Sequence, residues 1–136
     1  RSKRPAVSDV RAVRYLLANN APLNAQVPAV RVIGGVLPQG IELPAISVTH
    51  VSTVRPQMVN AASKLCVSRV QVTVMAASYQ SQKDVMALVR AALPRSRGSV
   101  NGVAVDSILP DIEGPDFTDE AGLFIGSIDY RVTYTE

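Results

Sequence analysis

Between Leu65 and Ala77 the chain alternates: Cys66, Val70, Val72 and Val74 are interleaved with Val67, Arg69, Gln71 and Thr73. A period of two sends successive side chains to opposite faces, which predicts a strand with one buried face and one mostly wet one. The same parity recurs from about Leu123 to Thr135. Phe124, Ile128, Tyr130, Val132 and Tyr134 share one face, and Ser127, Asp129, Arg131 and Thr133 the other. A further strand opens at Leu43-Pro44, with Ile46, Val48, His50 and Val54 in one phase apart from Ser52. Val30–Leu37 predicts a short apolar strand in which Gly34-Gly35 makes a bulge or bend. Val100–Ile112 predicts another, interrupted at Asn101-Gly102.

In two places the period becomes helical. Val10, Val13, Leu16 and Leu17 predict a helix near residues 9–19, with Ser8 as its N-cap. Asn19-Asn20 tolerates a left-handed turn and Pro22 ends the helix. Ser81, with Asp84 three residues on, opens a second helix whose stripe is Val85, Met86, Leu88, Val89, Ala92 and Leu93, closed by Pro94. Loops fall at Leu37–Gly40, at 55–64 (too long for a tight hairpin), at Arg95–Gly98 and at Asp111–Glu120. The order is α-β-β-β-α-β-β. It predicts an α+β fold with a mostly antiparallel sheet and two helices packed on its one apolar face. Residues 1–8 form a basic arm and 9–136 one domain, with no internal repeat.

Composition narrows the class. A chain of 136 residues, 47% hydrophobic and 18% charged, has enough apolar material for a core of its own. Its longest apolar runs are far too short to span a bilayer, and no signal-peptide pattern opens it, so no membrane partner is expected. Cys66 is the single cysteine, which removes disulfides and multi-cysteine zinc sites and suits assembly in the cytoplasm.

The net charge of +3 hides a separation. Residues 1–31 hold six bases against one acid; residues 106–120 hold six acids and no base. One reading is a solvated arm and a solvated loop. The other is complementarity, in which the basic end of one subunit meets the acidic loop of the next. Arg1, Lys3 and Arg4, with a calculated pI near 9.4, also admit a nucleic-acid-binding module, although no aromatic is interleaved to stack bases.

Catalytic chemistry is missing from the pattern. His50 is the single imidazole and falls in the core-facing phase, with no serine or carboxylate motif beside it. Cys66 shares the phase of Val70 and reads as a small buried hydrophobe. The acids at 111–120 lack the spacing that wraps a calcium ion, and Gly34-Gly35 lacks that of a phosphate loop. No enzyme activity, cofactor or metal is expected.

Several stretches resemble a family of small tailed-phage proteins, the tail completion proteins, also called tail terminators or tail-to-head joining proteins. They are Leu37–Val48 (LPQGIELPAISV), Arg69–Val74 followed by Val85–Leu93, Asp116–Phe124 (DFTDEAGLF) and Ser127–Tyr134 (SIDYRVTY). Leu16–Asn19 and Val30–Val32 fit more loosely. The resemblance spans roughly residues 9–135. Met75 and Thr133 stand where the family commonly has strand aromatics, and residues 1–5 lie outside the pattern.

The resemblance implies a structural virion protein: a ring, usually of six subunits, at the neck where the tail tube meets the head connector. Its partners would be other copies of itself, the tube protein and the head–tail connector or stopper protein. DNA would pass through without sequence-specific binding. For the subunit and partner contacts the residues suggest Arg1, Lys3 and Arg4 on the arm, Asp111, Glu113 and Asp116 on the acidic stretch, and Arg55, Met58 and Val59, where Met58-Val59 would otherwise leave apolar surface at a loop tip.

Overall fold

The computed structural model describes residues 8–55, 65–93 and 98–135. Its centre is a seven-stranded sheet: β1 (Val32–Gly34), β2 (Ala45–Val54), β3 (Leu65–Ala76), β4 (Gly98–Val100), β5 (Val103–Glu113), β6 (Phe117–Thr118) and β7 (Phe124–Thr135). The strands lie in the order β1-β2-β3-β7-β5-β4, and β6 adds to β7. All pairings are antiparallel except β1 with β2. Three α-helices accompany the sheet: α1 (Ser8–Ala18), α2 (Ala21–Asn24) and α3 (Tyr79–Ala92).

The two strands with clean alternation pair with each other without a break, from Leu65 opposite Thr135 to Ala76 opposite Phe124. Even-numbered β3 residues, from Cys66 to Ala76, are buried, and they meet Ile128, Tyr130, Val132 and Tyr134 of β7 on the same side. Helices α1 and α3 cover that side. Ala12, Val13 and Leu17 of α1 and Val85, Met86 and Val89 of α3 join these strand residues in one core cluster. Side chains of such size gain roughly 1.5–3 kcal/mol each on burial, so this layer dominates the stability of the fold.

Elsewhere the sequence expectation needs correction. The helix near 9–19 begins at Ser8 and stops at Ala18, but Asn20 is extended (φ −97°), not left-handed. Its side chain accepts a hydrogen bond from the Leu23 amide and caps α2, so Pro22 sits in the first turn of a new helix, where its missing N–H costs nothing. The strand expected over Val30–Leu37 shrinks to three residues. A 3-10 turn occupies Ala29–Arg31, and Gly35 leaves the strand direction at φ +96°.

In β2 the phase changes at a bulge after His50, because Ser52 pairs with the residue next to His50's partner. Thr53 consequently turns inward to Ser68, while Val54 faces out with Val67 rather than sharing the face of Ile46. The second helix starts earlier than expected. Ser78 is its N-cap, accepting from the Ser81 amide, and Asp84 binds Gln80 instead of closing a capping box. Asn101-Gly102 does not interrupt one strand but turns a hairpin between β4 and β5. Both residues have positive φ, 48° and 83°, as a two-residue turn of this kind requires. Finally, Asp111–Glu113 belong to β5 and Phe117–Thr118 form β6, so the acidic segment is loop only at 114–116 and 119–120.

Candidate assembly surfaces

The acids singled out in the sequence each face a cation of the same chain. Asp111 lies 2.9 Å from Arg69 on β3 and 3.6 Å from Arg131 on β7. Asp129 approaches the same Arg69 at 3.3 Å, so two arginines and two aspartates form one network on the face of the sheet opposite the helices. Strand register brings this about: Arg69 is directly opposite Arg131, and the like charges are tolerable because Asp111 and Asp129 flank them. Glu113 reaches Arg90 on α3 at 3.2 Å.

Asp116 is the most heavily bonded of the three. It accepts from Tyr79 Oη at 3.1 Å, Gln82 Nε2 at 3.0 Å and Lys83 Nζ at 2.9 Å, all from the first turns of α3. The hydrogen bond from Lys83, then that from Gln82, holds the Asp116 carboxyl below its ordinary range, and the same bond raises Lys83. Gln82 is nearly sealed off, and it occupies the space over Gly126: a methyl group there would lie 2.0 Å from Nε2. Tyr79, Phe117, Phe124 and Ile125, with Gln82 and Asp116 of this cluster, line a small open pocket of about 150 Å³. The next turn is locked by Asp119, whose Oδ1 accepts from the amides of Ala121 and Leu123 while Gly122 supplies φ +82°.

His50 does have a carboxylate partner, one the linear pattern concealed. Its Nδ1 lies 2.6 Å from Oδ2 of Asp9, which is fully buried at the start of α1. Asp9 Oδ1 also accepts from the Val10 amide. Nearby, Thr53 and Ser68 hydroxyls are 2.8 Å apart, and Ser68 donates to Tyr134 Oη at 3.4 Å. Burial pushes the Tyr134 phenol up, with Ser68 partly opposing it. Cys66 is buried here as expected.

Of the remaining residues assigned to contacts, Arg1, Lys3, Arg4, Met58 and Val59 lie outside the described residues, and Arg55 stands exposed just past β2. The cations that hold the acids, namely Arg69, Lys83, Arg90 and Arg131, were not anticipated as partners. Arg69 was nonetheless conspicuous as the one charge on the wet face of β3. Among the described residues no group of three or more His, Cys, Asp or Glu is arranged to hold a metal ion, and no helix is long and apolar enough to cross a membrane.

Against known proteins, residues 11–135 match the family described as Tail completion protein gp17. The chain belongs to that family. As a tail completion protein it is a structural component of a phage-like virion. Among solved structures it superimposes on one named "Virion of native gene transfer agent (GTA) particle" with a TM-score of 0.73 and 16% identity, covering 98% of this chain and 100% of the other. A second solved structure, whose name states no function, aligns with a TM-score of 0.55 at 18% identity over 94% of this chain and 96% of its own. Identities so low speak for the shared fold. No curated protein matches the sequence. Arg31, Arg69, Lys83, Arg90 and Arg131 each face a carboxylate of the same chain.

Proposed function

We propose that this protein assembles into a hexameric ring at the head–tail junction, where it caps the tail tube and joins it to the head connector. The observation carrying this reading is the family match along almost the whole chain, from residue 11 to 135. The likeness to a virion component of a gene transfer agent supports a place in a phage-like particle. The protein acts without catalysis or cofactor. Its partners are its own copies, the tube protein and the connector or stopper protein, and DNA traverses the ring without being read.

In that ring the contacts fall to Arg1, Lys3 and Arg4, to Arg55, Met58 and Val59, and to Asp111, Glu113 and Asp116. The internal cations change what the acids can contribute. A neighbour's base would share a carboxylate that Arg69, Arg90 or Lys83 already neutralises, so the contact is a network and gives way gradually to salt.

Electron microscopy of lysates from the parent particle lacking this gene tests the reading. Filled heads beside detached tails are expected. Overlong tubes would identify termination as the main duty, and tubes of normal length would identify joining. Intact, infectious particles would overturn the proposal.

A further inference from the structure

We propose that neighbouring subunits join edge to edge, with the outer side of β2 in one copy pairing antiparallel to the outer side of β5 and β6 in the next. This rests on the ring reading above and names the surface that builds it.

The sheet leaves two lanes open. β1 covers only Ile46–Val48 of β2, ending where the Gly35 amide donates to the Val48 carbonyl. From Thr49 to Val54 the outer side of β2 has no strand neighbour among the described residues. On the far side of the sheet β4 covers only Val103–Val105 of β5. From Asp106 to Glu113 that side likewise has no strand neighbour among the described residues, and β6 continues the same lane along β7. Backbone N–H and C=O groups on such lanes are left to water or to another strand.

Side chains mark the same two stretches. Val51 is 50% and Val54 62% exposed on one; Ile112 is 56% and Phe117 55% exposed on the other. These four are half of the eight large hydrophobics exposed among the described residues. Residues 49–55 contain no carboxylate, so nothing on that lane repels Asp106, Asp111 and Glu113 of the opposite one, the last two already held by Arg69, Arg131 and Arg90 of their own chain.

Strand direction decides the kind of pairing. β2 opposes β3, β3 opposes β7 and β7 opposes β5, so β2 and β5 run in opposite senses at the two sides. Copies related by rotation alone therefore meet with β2 antiparallel to β5, and the contact is heterologous, as a closed ring requires. The bulges in β2 and β5 and Pro110 interrupt a regular ladder, which discourages promiscuous strand addition and favours a partner of matching shape.

The test uses the full chain and three variants: Val51→Lys/Val54→Lys, Ile112→Lys/Phe117→Lys, and Val36→Lys as an exposed control away from both lanes. Assembly is followed by native mass spectrometry after mild cross-linking, with folding checked by circular dichroism. The parent and the control are expected to give rings, and each double variant a folded monomer. Mixing the two double variants is expected to give one-to-one heterodimers and nothing larger, because each retains one good edge. On assembly of the parent, amides of 49–54 and 106–113 gain protection from hydrogen exchange. Rings from either double variant alone, no heterodimer on mixing, or parent rings whose amides at 49–54 and 106–113 stay unprotected would overturn the edge pairing. A parent chain that forms no ring, even on tubes, would instead overturn the ring reading itself.

Discussion

Nδ1 of His50 lies 2.6 Å from Oδ2 of Asp9, 41 residues earlier in the chain, and the carboxylate end of this pair is wholly excluded from water. The pair clamps the first turn of α1 onto β2. Removing the imidazole leaves Asp9 with the Val10 amide as its remaining described partner. His50→Ala is expected to cost about 2–4 kcal/mol in denaturant unfolding. Asp9→Asn combined with it should cost clearly less than the sum of the two, with a coupling above about 1 kcal/mol. Strict additivity would mean that the contact contributes nothing to folding.

Charge reversal at Asp111 is expected to damage the monomer as well as any ring. A lysine there would sit among Arg69 and Arg131 with only Asp129 left to offset them. We expect Asp111→Lys to lower stability by about 1–2 kcal/mol and Asp111→Asn by less. Thermal unfolding of the two side by side checks this, and a reversal without effect would show that the network carries no energetic weight.

The Asp116–Lys83 contact gives a pH signature. Asp116 titrates below its ordinary value in the folded protein, so the stability it adds is present above about pH 4 and is lost as pH falls through the folded pKa. Lys83 titrates high, so its contribution holds below its ordinary value of 10.5 and fades as pH rises beyond it. Asp116→Asn should therefore be less stable than the parent at neutral pH, with the two curves converging toward pH 2. A gap that does not close in acid would locate the effect in packing over Gly126 instead.

Tyr130 is sealed in the core, and its hydroxyl has no hydrogen-bond partner among the described residues. Burial pushes its pKa up to about 12. A raised value means full stability below about pH 10 and progressive loss from there to about pH 12. Tyr130→Phe removes the unsatisfied hydroxyl, and we expect it to be neutral or stabilising by up to about 1 kcal/mol and to move alkaline unfolding upward. A strongly destabilised phenylalanine variant would point to a bound water on that hydroxyl.

Strands were legible in the sequence wherever their alternation met no bulge. β3 and β7 pair along their whole length, so parity alone identified the buried face of each. β2 was read correctly only as far as His50. The bulge that follows is set by pairing with β3, and neither Val51 nor Ser52 advertises it. Asn101-Gly102 did carry a hairpin signal, and reading it as an interruption merged β4 with β5. Pro22 signals a helix end as readily as a helix start, and the cap that Asn20 supplies before it decides for the start of α2. The assembly residues were legible as charge but not as pairs. Arg69 and Asp111, or Asp9 and His50, are brought together by register and helix docking, which no spacing in the chain records.

The strand that stands between β3 and β5 is the last one described. During synthesis the left half of the sheet (β1 to β3) and the β4–β5 hairpin are both finished before β7 exists, and neither touches the other through backbone hydrogen bonds. They can only be joined when Phe124–Thr135 slides in as a keystone, satisfying two strands at once. A nascent chain must hold two unfinished sheet margins open until that moment, so its folding is expected to be slow, non-local and concluded in a single late step.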